Sequence, residues 1–158
     1  MSLPWSSLTF TPSDEAIEQL FASWSWLLQT SFTPVLFSML GDAFLKSESG
    51  DVYWLETGTG DLTRVADSVD SFRDLLKTDL AEDWFLPTLV KALHAAGKIP
   101  GPGCCYSFVI LPIFKEGKYE VNNLNPISAK EHFSITGMMH KEIHSLPDGA
   151  KVVFKKAP

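Results

Sequence analysis

The spacing of apolar residues near the N-terminus is that of a helix. After Thr11, apolar side chains recur every three or four residues, as on one helix face: Ile17, Leu20, Phe21, Trp24, Leu27 and Leu28. We predict a helix that ends near Gln29, with an N-cap, a first-turn proline and an acidic first turn at Thr11, Pro12 and Asp14. The next apolar run, Val35–Leu40, lies between a proline and a glycine, which favours a short helix or turn.

Beyond residue 41 the period changes to that of strands. Three short runs rich in β-branched and aromatic residues are separated by glycine-containing turns: Asp42–Lys46, Val52–Leu55 and Leu62–Val65. The turns contain Ser49-Gly50-Asp51 and Gly58-Thr59-Gly60-Asp61. This pattern predicts a β-meander of three strands.

The second half of the chain predicts helices and then further strands. One helix is capped by Asp67 and reaches Lys77; another begins with the capping-box pair Asp79 and Glu82 and ends at Gly97. Pro87 is expected to bend or restart the second of these helices.

After a Gly- and Pro-rich loop, Cys105–Phe114 is predicted as a strand that pairs with Lys118–Val121. A third capping box, Ser128 with Glu131, opens a helix to Leu146, and Lys151–Phe154 is predicted as a final strand.

Strands and helices occur in blocks without strict alternation, which is typical of an α+β fold. We expect one antiparallel sheet, made of the meander and the C-terminal strands, covered by several helices. The chain of 158 residues is near the usual size of one domain. We therefore predict a single domain with an N-terminal helical part, residues 1–40, and a mixed part, residues 41–158.

Composition and charge exclude several classes of function. The formal net charge of −6 and the pI near 5.1 disfavour direct nucleic-acid binding, because a phosphate backbone attracts basic surfaces. Lysines gather only at the C-terminus, at Lys151, Lys155 and Lys156. No run approaches the roughly 18 apolar residues of a membrane span, and no signal peptide begins the sequence, so we expect a cytoplasmic protein.

Two histidines four residues apart, His140 and His144, are a candidate metal site because they share a helix face. In zinc-protease motifs a glutamate directly follows the first histidine or directly precedes the second. Here Lys141 and Ile143 occupy those positions. We therefore predict no metal and no cofactor, and keep His140 and His144 as the alternative.

The adjacent cysteines, Cys104 and Cys105, enter an apolar strand, where a thiol usually behaves as a small buried hydrophobe. Adjacent cysteines rarely form a disulfide, which fits a reducing compartment. Gly58-Thr59-Gly60 lacks the third glycine and the following helix of a phosphate loop, so it predicts a turn.

Acidic residues gather around the predicted meander, at Asp42, Glu48, Asp51, Glu56 and Asp61. Most of them alternate with apolar residues and should face water, forming an acidic surface that could steer a basic partner. Trp54 lies among them and is either a core residue or a contact anchor, since tryptophan is enriched at binding hot spots. The candidate partner-binding residues are Asp51, Trp54, Glu56 and Asp61.

Several short segments, read in order, resemble a bacterial family: Leu40–Phe44, Val52–Thr57, Ala81–Phe85, Gly103–Phe108, His132–His140 and Leu146–Val152. This is the domain of unknown function 1851 family, which resembles the C-terminal domain of type VI secretion immunity proteins. The resemblance covers roughly Trp24 to Val153. It implies an α+β domain, compatible with a SUKH-like immunity architecture, that neutralises a co-produced toxin, in the best understood members a nuclease. It carries over no catalytic residue.

Three functions follow from these observations. The leading one is a non-catalytic protein-binding domain, an immunity-type inhibitor of a basic toxin or effector. The second is a small-ligand sensor with a pocket near Trp84 and Tyr106. The third is a metal- or cysteine-dependent enzyme that uses His140, His144 and Cys105.

Overall fold

An antiparallel sheet of five strands lies at the centre of the protein, in the order β1-β2-β3-β4-β5. The structure is a computed structural model that describes residues 3–147 and 149–150. The five strands are Thr9–Phe10 (β1), Phe32–Ser38 (β2), Ala43–Ser47 (β3), Val52–Glu56 (β4) and Asp61–Ala66 (β5). Strands β3 to β5 form the predicted meander, which is therefore confirmed.

Six α-helices, a short 3-10 helix (Val121–Asn123) and a second, two-stranded sheet complete the described part of the chain. The helices are Trp5–Leu8 (α1), Asp14–Ser23 (α2), Val69–Leu75 (α3), Leu80–Phe85 (α4), Pro87–Ala95 (α5) and Ala129–His144 (α6). The second sheet pairs Cys104–Phe108 (β6) with Leu124–Ser128 (β7) in antiparallel register. The predicted α+β class is thus confirmed.

The central sheet is buried on both faces because its middle strand is apolar at consecutive positions. Side chains of a strand point alternately to opposite faces. Ala43 and Leu45 of β3 pack with the residues of α2 and α6, whereas Phe44 packs with those of α3, α4 and α5. The result is a sheet between two helical layers, with Trp24 and Phe133 on one side and Trp84 on the other.

Several helix starts differ from the predicted ones by one or two residues. Ser13, not Thr11, caps α2, and Ser68, not Asp67, caps α3. In each case the serine hydroxyl accepts a backbone N–H three residues ahead. Helix α2 ends at Ser23, short of the predicted Gln29, and turns continue the chain.

Of the other two predicted capping boxes, the structure shows the N-cap hydrogen bond of one and not of the other. The Ser128 hydroxyl accepts from the backbone N–H of Glu131, so the start of α6 is confirmed. Asp79 precedes α4 without a side-chain cap bond. Pro87 begins a new helix, as predicted, and Gly97 with φ +80° follows the end of α5.

The prediction of a helix or turn at Val35–Leu40 is wrong, because Phe32–Ser38 is strand β2. The residues before Gly41 are therefore not wholly helical: besides α1 and α2 they include β1 and β2 of the central sheet. Pro34 fits the strand because the pairing of β2 with β3 shifts register between Pro34 and Leu36. Prolines are tolerated at such irregularities.

The C-terminal strands were also predicted incorrectly. Strand β6 ends at Phe108, not at Phe114, and its partner is β7, not Lys118–Val121. These two strands form a sheet of their own and do not extend the meander. The predicted strand Lys151–Phe154 and the lysines at 151, 155 and 156 lie outside the described residues. No helix within the described ranges is long and apolar enough to cross a membrane.

Candidate partner-binding site

A cavity of about 220 Å³ opens where the C-terminal end of β4 meets α4. Three aromatic side chains line it, together with three carboxyl groups and two leucines: Trp54, Trp84, Tyr119, Asp42, Glu56, Asp83, Leu40 and Leu86. We call this the acidic cavity. Its residues come from four separate stretches of the chain, so it exists only in the folded protein.

The aromatic side of the acidic cavity is held by the core beneath it. Trp54 and Glu56 are two residues apart on β4 and therefore point to the same face of the sheet. The Trp54 ring stacks on buried Phe44, with ring centroids 6.1 Å apart and planes inclined by 8°. Trp84 on α4 contacts both rings, at 5.3 Å from Phe44 and 6.3 Å from Trp54. This packing fixes the tryptophans before any partner arrives.

The carboxyl groups of the acidic cavity repel one another. Burial raises the pKa of Asp42 to about 7, and the charge of Glu56 adds to that effect. Burial and then the charge of Asp61, which is opposite Glu56 in the β4–β5 register, raise the pKa of Glu56. Burial and the charges of Asp42, Glu56 and Asp61 likewise raise the pKa of the Tyr119 hydroxyl. The carboxyl groups of Asp42, Glu56 and Asp61 and the hydroxyl of Tyr119 therefore lie near one another at this end of the sheet.

Positive charge is missing from the residues that line the acidic cavity. None of those described is a lysine, arginine or histidine. The ion pairs of the described residues lie elsewhere, and they join Arg64 to Asp51, Arg73 to Asp70 and Lys130 to Glu15. The buried indole Nε1 of Trp54 approaches the carboxylate of Asp42 but lacks a partner with hydrogen-bond geometry among the described residues. A buried donor left in this way usually marks a place for water, an ion or a ligand.

An apolar groove of about 580 Å³ adjoins the acidic cavity and shares Leu86 and Tyr119 with it. It runs between α5 and the segment 119–121, and its walls are mostly aliphatic. Glu82 and Glu120 stand at its edges. We call it the apolar groove.

Leu86 separates the two depressions in a strained backbone conformation. Its φ of +45° makes it the one residue other than glycine with a positive φ in the described part of the chain. A left-handed conformation costs about 1–2 kcal/mol in a residue with a Cβ. Such strain persists only where the surrounding structure imposes it, and it often accompanies a binding site.

A buried hydrogen-bond network lies behind Asp42. His132 Nε2 is 3.2 Å from the Gly41 carbonyl oxygen, which only accepts, so we assign the ring proton to Nε2. Nδ1 then accepts the Ser107 hydroxyl at 2.7 Å. Thr57 Oγ1 lies 2.9 Å from His132 Nε2 and 3.2 Å from Asp42 Oδ1, which also accepts the Thr57 N–H at 2.9 Å. We call this the histidine network.

The histidine network is built for a neutral imidazole. Burial lowers the pKa of His132 to about 4, although its contact with the Gly41 carbonyl acts in the opposite direction. Both ring nitrogens already have partners. A serine next to a histidine is one element of a hydrolase site, but here neither residue lines any of the three cavities described in this structure.

The two histidines of the metal alternative contact aromatic rings. The ring of His140 lies 5.4 Å from that of Trp24, and its Nε2 donates to the Thr57 carbonyl oxygen at 2.8 Å. The ring of His144 lies 5.1 Å from that of Trp26. No group of three or more His, Cys, Asp or Glu residues within the described ranges is arranged to hold a metal ion.

Cys105 and the turn Gly58-Thr59-Gly60 have structural roles. Cys105 is fully buried among apolar side chains, and burial raises the pKa of its thiol far above the usual value. A thiol of this kind is a poor nucleophile. Gly58-Thr59-Gly60 forms the turn between β4 and β5, as predicted, and Gly60 has φ +79°.

The structure separates the four residues predicted to bind a partner into two places. Trp54 and Glu56 line the acidic cavity, and Asp61 lies opposite Glu56. Asp51 lies at the other end of β4, where the Arg64 guanidinium, 3.1 Å away, lowers its pKa. Of the two residues named for a ligand pocket, Trp84 lines the acidic cavity, whereas the Tyr106 hydroxyl donates to the Lys98 carbonyl.

Asp83 and Tyr119 were missed as site residues. Asp83 lies within the predicted first turn of a helix, and Tyr119 within a segment predicted as strand. The sequence signal that could have found Asp83 is its position beside Trp84, since an exposed carboxylate next to a large aromatic ring is common where cations bind.

Comparison with known families identifies one matching segment. Residues 66–140 match the family model described as "T6SS immunity protein Tdi1, C-terminal". This segment is similar to part of a type VI secretion immunity protein. The resemblance to immunity proteins is thus confirmed, over a shorter range than predicted, while the assignment to the 1851 family stays a prediction. No curated protein matches the chain.

The matched segment contributes only part of the site. It runs from the end of β5 into α6 and includes Asp83, Trp84, Leu86 and Tyr119. Trp54 and Glu56 lie before it. The acidic cavity therefore joins the immunity-like segment to the meander.

Proposed function

We propose that this protein is a non-catalytic, immunity-type inhibitor that neutralises a toxin by binding it. The observation that carries the proposal is the match of residues 66–140 to the C-terminal region of an immunity protein. The matched segment supplies one wall of the acidic cavity and most of the apolar groove. The similarity therefore falls on a part of the surface that contains both depressions.

The character of this surface supports a basic protein as the partner. Uncompensated carboxylates beside an apolar groove offer charge complementarity together with apolar contact area, the two components of a specific interface. Nucleases have basic substrate-binding surfaces because they hold phosphate backbones. A nuclease toxin is therefore our specific proposal, with inhibition by occupation of its basic surface.

The absence of a catalytic role is part of the proposal. Both ring nitrogens of His132 and Nε2 of His140 have hydrogen-bond partners in the fold. Cys105 is buried and its thiol stays protonated. The two free cysteines also fit a reducing compartment, and the cytoplasm is where an inhibitor of a nuclease is needed.

Co-expression with the toxin encoded beside its gene tests the proposal. We expect the wild-type protein to restore growth and to form a complex that co-purifies in a fixed ratio. An Asp83→Arg, Glu120→Arg variant, altered at the two depressions, should lose protection. A Glu48→Arg, Asp74→Arg variant makes the same change of charge at exposed positions elsewhere and should protect.

Two results would contradict this function. One is toxicity that the wild-type protein does not reduce at any expression ratio. The other is protection that persists without any complex, because an enzyme that repairs damage would act in that way.

The acidic cavity also supports a second candidate, the binding of a small ligand next to Trp84. A ligand that binds only the native state raises the melting temperature by mass action. A screen of small cationic metabolites by thermal shift separates the candidates: a large shift together with no protein complex would favour the sensor.

A further inference from the structure

We propose that the acidic cavity receives one arginine side chain of the protein partner, with its guanidinium against the aromatic wall and paired to Glu56 and Asp83. This inference rests on the proposed function only in taking the partner to be a protein. It adds the chemical identity of the anchor residue and the place where it binds.

The dimensions of the acidic cavity fit one side chain. Sites for drug-sized ligands usually occupy about 300–1,000 Å³, whereas this cavity has about 220 Å³. The adjoining apolar groove is larger, at about 580 Å³, and can take the neighbouring aliphatic residues of the same partner segment. An interface usually has a few anchors in pockets within a wider surface of weaker contacts.

The walls of the acidic cavity favour a flat cation. Trp54 and Trp84 line the cavity with indole rings inclined at 56° to each other, and an indole ring attracts a cation placed against its face. A guanidinium stacks on such faces and donates two parallel hydrogen bonds to a carboxylate. An ammonium is more strongly hydrated and lacks the planar fork, so arginine fits better than lysine.

The charge of the acidic cavity favours a cation as its ligand. The charge of Glu56 raises the pKa of Asp42, that of Asp61 raises the pKa of Glu56, and the described lining holds no basic residue to offset them. A guanidinium that enters would favour the ionised form of Asp42, whose pKa is about 7, so binding would release a proton. Affinity should therefore increase between pH 6 and pH 8. The other titratable groups that face this place are Tyr119 and Asp83.

The test uses the whole protein labelled with ¹⁵N and the probe N-acetyl-arginine methylamide. The readout is the indole N–H resonance of Trp54, assigned by its loss in Trp54→Phe, because this buried donor lies at the cavity. We expect a saturable shift with a dissociation constant in the millimolar range, as for about 4 kcal/mol of binding. The citrulline analogue has the same shape without the charge and should produce no saturable shift.

Variants separate pocket binding from general attraction. Asp83→Asn should weaken binding of the arginine probe about threefold, as expected for a partly exposed ion pair. Glu48→Gln removes the same charge at an exposed position away from the cavity and should leave binding unchanged. The lysine analogue should bind more weakly than the arginine probe.

Three results would overturn the inference: no saturable shift with the arginine probe, equal shifts with the citrulline analogue, or equal weakening by both variants. These outcomes differ from a failure of the proposed function. Protection from the toxin with no response to the arginine probe would contradict the arginine site and support the inhibitor function. Binding of the probe by a protein that protects against no toxin would support the arginine site and contradict the inhibitor function.

Discussion

The histidine network and the acidic cavity adjoin at Asp42, but their polar groups are satisfied to different degrees. In the network, each nitrogen of His132 has a partner, and Asp42 Oδ1 accepts two hydrogen bonds from Thr57. In the cavity, like charges face one another and the Trp54 indole N–H lacks a partner among the described residues. A satisfied network stabilises a fold, whereas an unsatisfied one costs stability unless a ligand completes it.

The same comparison predicts which substitutions affect stability and which affect binding. Changes in the histidine network should destabilise the protein. Changes in the acidic cavity should weaken partner binding, and some should make the free protein more stable. The following predictions run from the largest expected effect to the smallest.

The largest effect is expected for Gly41→Ala. Gly41 has φ +83°, and an added Cβ would lie 2.0 Å from His132 Nε2. We expect a loss of about 3–5 kcal/mol of unfolding free energy in urea, as for other disrupted buried networks. The control is Gly50→Ala, at φ +94° with no atom within 4 Å of the added Cβ, which should cost only about 1–2 kcal/mol. Equal losses would show that the network is unimportant for stability.

The next largest effect is on how the free energy of unfolding depends on pH. Asp42 has a pKa near 7 in the fold against the usual 3.8, so the folded state retains a proton that the unfolded chain releases. Its contribution therefore decreases stability as the pH rises from about 4 to 7. His132 has a pKa near 4 against the usual 6.5, so the unfolded chain binds the extra proton. Its contribution increases stability as the pH rises from about 4 to 6.5.

Through each group the free energy of unfolding changes by about 1.4 kcal/mol per pH unit, and the two changes have opposite signs. In Asp42→Asn only the histidine slope remains, so relative to wild type its stability should rise by about 3 kcal/mol between pH 4 and pH 6.5. In His132→Gln the difference should have the opposite sign. Urea unfolding at half-unit pH steps measures both. Parallel pH profiles for all three proteins would mean that neither group titrates abnormally.

A smaller effect, on affinity, distinguishes the two ends of β4. Glu56→Gln should weaken binding of the toxin about tenfold, equivalent to about 1.4 kcal/mol, because Glu56 lines the acidic cavity. Asp51→Asn should change affinity less than about twofold, since exposed ion pairs contribute little and Asp51 already pairs with Arg64. Titration calorimetry at one salt concentration compares them. A larger loss for Asp51→Asn would place the interface at the opposite end of the meander.

The smallest effect has the opposite sign. Glu56→Gln should stabilise the free protein by about 0.5 kcal/mol at neutral pH, because a like charge directly across the strands, Asp61, destabilises the pair. Glu48→Gln provides the reference for an exposed glutamate. Destabilisation by Glu56→Gln alone would mean that this side chain supports the fold, in conflict with the view that the acidic cavity is incomplete without a partner.

Sequence reasoning succeeded where one periodicity determined one element. The meander, the capped start of α6 and the restart at Pro87 follow from local residues and are confirmed. It failed for β2, because Val35, Leu36 and Phe37 are apolar in succession and pack in the two core clusters, so the run lacks alternation and looks like a buried helix. It also failed for β7, because Pro126 argues against a strand, although proline is tolerated in a strand that pairs on one side only.

The candidate site was predictable in part for the same reason. Trp54 and Glu56 are close together on one strand, so local pattern could group them. Asp83, Trp84 and Tyr119 come from a helix and a later loop, and no local pattern relates these to β4.

By itself the sequence determined the α+β class, the meander, the starts of α5 and α6 and the acidic character of the chain, because these depend on residues near one another or on composition. Only the tertiary structure decided that β6 and β7 form a separate sheet, that Asp51 lies apart from Glu56, and that carboxyl groups meet two indole rings in one cavity. The physical reason is that burial and charge proximity, which set the chemistry of this site, depend on contacts between distant parts of the chain.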